Sequence, residues 1–135
     1  MKTLLNLGFL GALAGFLFVS CNDNDDYETI ESVAKVKIDS VKIVNDTMDV
    51  FGVQSIRTFS QYNANCEGFY GYDYVHTADF ERTVTSYKFK TNANCGTGTF
   101  SGGNQINFAP KSVGTYTFKF WNGDNNYITK TIVVQ

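Results

Sequence analysis

The chain predicts an all-β fold, an antiparallel sandwich of about seven strands, with a small closed β-barrel as the alternative. Three observations predict it. No apolar period of 3.6 residues recurs after residue 21. Short alternating runs rich in Val, Ile, Thr, Tyr and Phe take its place. Clusters of Gly, Asn and Asp separate those runs, as turns do between strands.

The elements follow in chain order. Val36 and Ile38 share one face, whereas Val41 and Ile43 share the other. The flip at Asp39-Ser40 marks a bulge, or a strand that crosses from one sheet to the other. Met48 and Val50 make a short continuation, and Ile56 to Tyr62 a second strand. Phe69 to Thr77 is a third. Thr83 to Lys90 is a fourth, with Thr83, Thr85, Tyr87 and Phe89 facing one way and Val84, Ser86, Lys88 and Lys90 the other. Gly96, Gly98, Gly102 and Gly103 read as a flexible connection. Ile106 and Phe108 mark a fifth strand, which Pro110 stops. Tyr116, Phe118 and Phe120 line the core side of a sixth, opposite Thr117 and Lys119. Asn122-Gly123 starts a turn into the last strand, Tyr127 to Val134.

Gly114-Thr115-Tyr116-Thr117-Phe118 resembles the tyrosine corner of immunoglobulin-like domains. The resemblance covers residues 33–135 and implies the broad bacterial immunoglobulin-like architecture. It also implies that Tyr116 is buried, with its hydroxyl bonded to nearby backbone. Antibody-type domains carry cysteine two residues after that tyrosine and a buried tryptophan on the third strand. This chain departs from them with Phe118 and with Trp121 as its sole tryptophan.

At the other end, Lys2 precedes an apolar stretch from Leu4 to Phe18, and Asn22-Asp23-Asn24-Asp25-Asp26 follows Cys21. A basic start, an apolar middle and small residues at a processing point make a secretory signal. The stretch is shorter than the roughly 20 apolar residues a spanning helix needs, and it contains Gly8, Gly11 and Gly15. Phe18-Val19-Ser20-Cys21 resembles the lipobox of bacterial lipoproteins. The resemblance implies that residues 1–20 are removed and that Cys21 carries diacylglyceryl and an acyl chain such as palmitate. Two or more chains anchor a protein stably, so attachment to the cell envelope is expected, at the outer membrane. The acidic run resembles an export signal to the outer cell face, or is a solvated tether over residues 21–32. Periplasmic and outer faces stay open.

Removal of residues 1–20 would leave 115 of 135 residues, enough for one domain with a real core. Lys2 would leave with them, moving the formal charge from −2 to −3. Five of the remaining acids, Asp23, Asp25, Asp26, Glu28 and Glu31, lie in the tether, so the folded part is near neutral, with 10 bases against 8 acids, and nucleic acid is not an expected partner. With Cys21 assigned to lipid, Cys66 and Cys95 remain as an even pair in an oxidising compartment. Each ends the same tetrapeptide, Asn63-Ala64-Asn65-Cys66 and Asn92-Ala93-Asn94-Cys95. A structural disulfide is expected ahead of a metal or a nucleophilic thiol, because no second Cys or His lies within ligand spacing of either.

For chemistry the chain offers little. His76 is the sole histidine, and with Asp79 and Glu81 it has the residue types of a base or a metal site. The spacing suits a polar turn between strands instead. Glu67, Asp73, Asp79 and Glu81 are candidates for a hydrolytic carboxylate pair, although nothing in their spacing supports one. No Ser or Cys sits in a nucleophile elbow, and no glycine segment has the Lys-Ser/Thr ending of a phosphate loop. Asn122 to Asn126 is rich in oxygen but lacks the spaced carboxylates of a calcium loop. No catalytic residue, metal or cofactor is assigned, and the chain is not expected to be an enzyme.

Binding candidates are aromatic. Tyr70, Tyr72, Tyr74 and His76 share one strand face. Facing water, the tyrosines would suit a sugar or protein surface; facing inward, they would be core, and Gly71 and Asp73 on the other side favour that. Trp121 falls on the polar parity beside Lys119. Tyr70, Tyr72, Tyr74 and Trp121 are therefore the candidate ligand-binding residues, for a protein or a carbohydrate. Asp39-Ser40-Val41 and Asp46-Thr47-Met48 resemble acceptors of a bacterial O-glycosylation system, which implies modification at Ser40 and Thr47. The expected function is a lipid-anchored, non-catalytic binding or interaction module of the cell envelope. A small disulfide-bonded inhibitor of a lysozyme or protease is the rival, and a carboxylate-dependent hydrolase a more distant one.

Overall fold

The computed structural model describes residues 28–135. The signal segment, Cys21 and the acidic run to residue 27 lie outside the described residues. Among these there are nine strands and no helix: β1 (Ile30–Val36), β2 (Ser40–Ile43), β3 (Thr47–Met48), β4 (Gln54–Asn63), β5 (Glu67–Ala78), β6 (Glu81–Thr91), β7 (Thr99–Phe108), β8 (Gly114–Trp121) and β9 (Tyr127–Val134). β1 starts within the stretch expected as tether.

Two sheets pack face to face. The smaller runs β2-β4-β7. In the larger, β6 pairs with β5 along one side. Its other side is shared: β8 lies along Glu81–Val84 and β1 along Ser86–Thr91, end to end in one lane. β9 and then β3 complete this sheet. No ladder joins the two sheets, so the molecule is a sandwich and not a barrel. Nine strands replace the expected seven because the short β2 and β3 are separate pieces of the crossing segment. Two pairings, β3–β9 and β6–β8, are parallel, a departure from an all-antiparallel sandwich.

The flip at Asp39-Ser40 is the sheet crossing. Ile38 donates its N–H to the Trp121 carbonyl in the larger sheet at 2.9 Å, and Asp39 donates to Phe59 in the smaller at 2.8 Å. One residue therefore changes both the sheet and the inward parity. The chain returns at β3, where Asp46 accepts from Val133 N–H at 2.7 Å.

The glycine-rich segment is a connection only in its first half: Gly96 and Gly98 precede β7, whereas Gly102 and Gly103 lie within it. β7 already begins at Thr99 and stays in register with β4 over ten pairs. A Cβ at Gly102 would meet the Tyr62 ring at 2.6 Å, and one at Gly103 would meet the Phe59 ring at 2.9 Å. These two glycines admit rings over the strand.

The core gathers Ile38, Ile56, Val84, Phe108, Ile132 and Val134 around Tyr116, Phe118 and Phe120 of β8. Strict alternation on β8 buries those three rings. Tyr116 donates its hydroxyl to the Ser112 carbonyl at 3.0 Å, which is the corner geometry. Gly114, at φ +149°, leaves room for the Phe80 ring, which a Cβ would meet at 2.5 Å.

At one pole Cys66 and Cys95 are disulfide-bonded, with Cα atoms 4.8 Å apart. The bond ties the β4–β5 turn to the loop after β6. Ala64 and Gly96 add backbone bonds between the same loops, to Gly98 and Ala64. Beside this pole Glu67 pairs with Lys88 at 2.7 Å. Burial opposes ionisation of Glu67, but the Asn63 N–H and the Lys88 ammonium outweigh it and hold its carboxyl below the ordinary value. Inside, the Tyr62 hydroxyl is enclosed among Ser60, Ser86 and Asn104 without a well-formed hydrogen bond to any, and burial raises its pKa.

Candidate binding cleft

The two sheets differ in width: five lanes against three. β5 is the outer lane of one and β7 the outer lane of the other. Between them the sandwich is open. The opening is a cleft of about 1090 Å³, bounded by the second half of β5, the β5–β6 turn, the end of β7 and residues 109–112.

Tyr72 and Tyr74 form one wall. Both are partly buried and pack against the core. The Tyr72 hydroxyl lies 2.6 Å from Thr58 Oγ1 of β4, so this side chain spans the sandwich. Burial raises the pKa of Tyr72, partly offset by the Thr58 bond. Burial raises that of Tyr74 as well, partly offset by the neighbouring Arg82 guanidinium. The tyrosine stripe does not continue to Tyr70. Phe69 faces Lys88 and Gly71 faces Tyr87, which leaves Tyr70 as an extra, bulged residue. It is 58% exposed and takes no part in the cleft.

Arg82 lies within the cleft lining and is only 7% exposed. Its Nη1 donates to the carbonyls of Ala78, Asp79 and Glu81 at 3.0, 3.1 and 2.9 Å, closing the β5–β6 turn from inside. The guanidinium carbon stands 5.4 Å from the centre of the Tyr116 ring. Its Nε is buried without a partner. Among the described residues no carboxylate forms an ion pair with it. The sequence reading missed this residue by starting the strand at Thr83. The available signal was parity, because Arg82 alternates with Val84 and Ser86, both buried.

The other candidates lie elsewhere. Trp121 is half-buried outside the cleft, with its Nε1–H bonded to the Asp124 carbonyl at 2.9 Å and Lys35 Nζ 5.6 Å from the ring centre. The structure therefore does not bring Trp121 to Tyr72 and Tyr74. His76 lines the cleft beside Tyr74, with ring centroids 5.7 Å apart. Glu81 is held by Lys119 at 3.0 Å and Thr77 at 2.8 Å. Those contacts, Lys119 foremost, keep its carboxyl below the ordinary value. Glu67 and Glu81 sit at opposite ends of the β5–β6 hairpin, each engaged by a lysine. No three His, Cys, Asp or Glu side chains converge as metal ligands among the described residues. Asn122–Asn126 is a hairpin turn, closed by Asn122 N–H to the Asn126 carbonyl and Asn126 N–H to the Gly123 carbonyl, both 2.9 Å. Ser40 and Thr47 are exposed, on β2 and β3. No protein-family model, curated protein or solved structure matches the chain.

Proposed function

We propose that the protein is a non-catalytic binding module of the bacterial cell envelope, anchored through lipidated Cys21, whose ligand occupies the cleft between β5 and β7. The observation that carries this reading is the width mismatch of the sheets. It leaves two tyrosines and a buried arginine between two unpaired strand edges. Tyrosine and arginine are residue types that dominate binding energies when desolvated. Of the chemistry-bearing groups, Cys66 is engaged by Cys95 and Glu81 by Lys119, while His76 and Asp79 line the cleft without a third ligand or a nucleophile among the described residues.

The full chain in detergent, probed with peptide and glycan panels, tests the site. Tyr74→Ala is expected to weaken a captured ligand by about 2 kcal/mol, whereas Trp121→Ala leaves it within a few tenths. The opposite pattern would move the site away from the cleft. Anchoring has its own test. Cys21→Ser should abolish lipid labelling and signal cleavage in fractionated cells, and a mutant that is still processed and still pellets with membranes would refute it.

A further inference from the structure

The geometry points to the cleft's occupant: an extended segment of a partner protein, carrying one inward acidic side chain, added to the free edge of β7 as a fourth strand of the smaller sheet. This rests on the cleft being the ligand site.

Sheet edges are normally blunted by brevity or bulges. β2 has four residues and β3 two. The edge strand β5 carries register irregularities at Phe69/Gly71 and His76/Ala78. β7 has neither protection. It pairs with β4 over ten residues without a shift, so its other side presents a regular row of unpaired N–H and C=O groups. A strand laid along Gln105–Phe108 would turn alternate side chains over Tyr72, Tyr74 and His76, the part of β5 that the narrower sheet leaves uncovered. Main-chain bonds would supply affinity and the inward side chains selectivity.

Charge sets one of those side chains. Arg82 is more than nine-tenths buried in the cleft lining, and among the described residues its Nε lacks a partner and no carboxylate pairs with it. Lys111 also lines the cleft. Asp79 is the acid there, but it meets Arg82 through its backbone carbonyl. A carboxylate matches the guanidinium fork and gives this buried cation a counter-charge. The inward residue nearest the β5–β6 turn is therefore Asp or Glu.

The chain's own acidic run, Asn22 to Asp26, cannot be this occupant within one molecule. Thr29 is bonded to Asn92, just beyond the far end of β6, through its N–H and its carbonyl at 3.1 Å each. From there to Arg82 the path along β6 is about 30 Å, whereas Asn22 to Thr29 spans at most roughly 24 Å fully extended.

The test selects from a displayed random heptapeptide library with the full chain in detergent. Selected peptides should alternate β-branched or aromatic residues with one Asp or Glu. In synthetic copies, exchanging that acid for its amide should weaken binding about tenfold or more. N-methylation at every second backbone nitrogen should do the same, while the intervening positions tolerate it. Hydrogen exchange should slow at the alternate amides of Gln105–Phe108 that face away from β4. Indifference to the acid or to N-methylation, or protection confined to other strands, would overturn the inference. All these readouts use the unmodified protein, so none depends on an Arg82 variant folding. Glucuronate, N-acetylneuraminate and glucose form the second arm. Sugars that protect the cleft where peptides do not would refute strand addition and leave the cleft reading standing. Failure of every probe to alter the cleft would refute both.

Discussion

Phe118→Ala is expected to lower the unfolding free energy by about 3–5 kcal/mol. Phe118 is fully buried at the centre of β8. Its ring lies 5.0 Å from Phe108, nearly perpendicular, and 6.2 Å from Phe120, nearly parallel. Ladders to β9 and β6 hold both flanks of β8, so the backbone cannot settle into the void. The penalty combines lost transfer energy with an unfilled cavity. Equilibrium urea unfolding measures it, and a loss under about 1 kcal/mol would mean that β8 is not the packed centre.

Replacing both Cys66 and Cys95 by serine is expected to cost about 3–4 kcal/mol, from the loop of 29 residues that the bond closes. The effect should be confined to stability. The disulfide lies where β5 begins and β6 ends, whereas the cleft lies around the turn that joins them. The serine variant, below its melting temperature, should keep ligand affinity within about twofold of the parent. Thermal unfolding with and without reductant checks the first part and titration of the variant the second. A large loss of affinity in folded protein would show that the two ends are coupled.

How much of this was legible in the sequence depended on whether a local pattern had one physical meaning. The parity change between Ile38 and Val41 could only be a bulge or a sheet crossing, and it is the crossing. β8 was legible because its alternation is uninterrupted, and Tyr116 because a glycine and a polar residue frame it. Gly102 and Gly103 misled, since glycine weakens a strand unless a ring needs its space, and the rings of Tyr62 and Phe59 come from another strand. The tyrosine stripe was half right. A bulge at Tyr70 cannot be read from β5 alone, because it is defined by the partner register. The cleft was not legible at all. It arises from unequal sheet widths, a property of topology, and its central charge, Arg82, lies one residue before the strand start expected at Thr83.

The most direct test of a cleft-borne function is to fill the cleft mouth. Ala109 is exposed and lies in the lining between Phe108 and Pro110. Ala109→Trp adds a large ring at the rim without touching Arg82, Tyr72 or Tyr74. Measured by titration beside the parent, this variant should lose ligand binding by at least about tenfold, with an unfolding free energy within about 0.5 kcal/mol of the parent's. Unchanged affinity in that folded variant would contradict the assignment of function to this cleft.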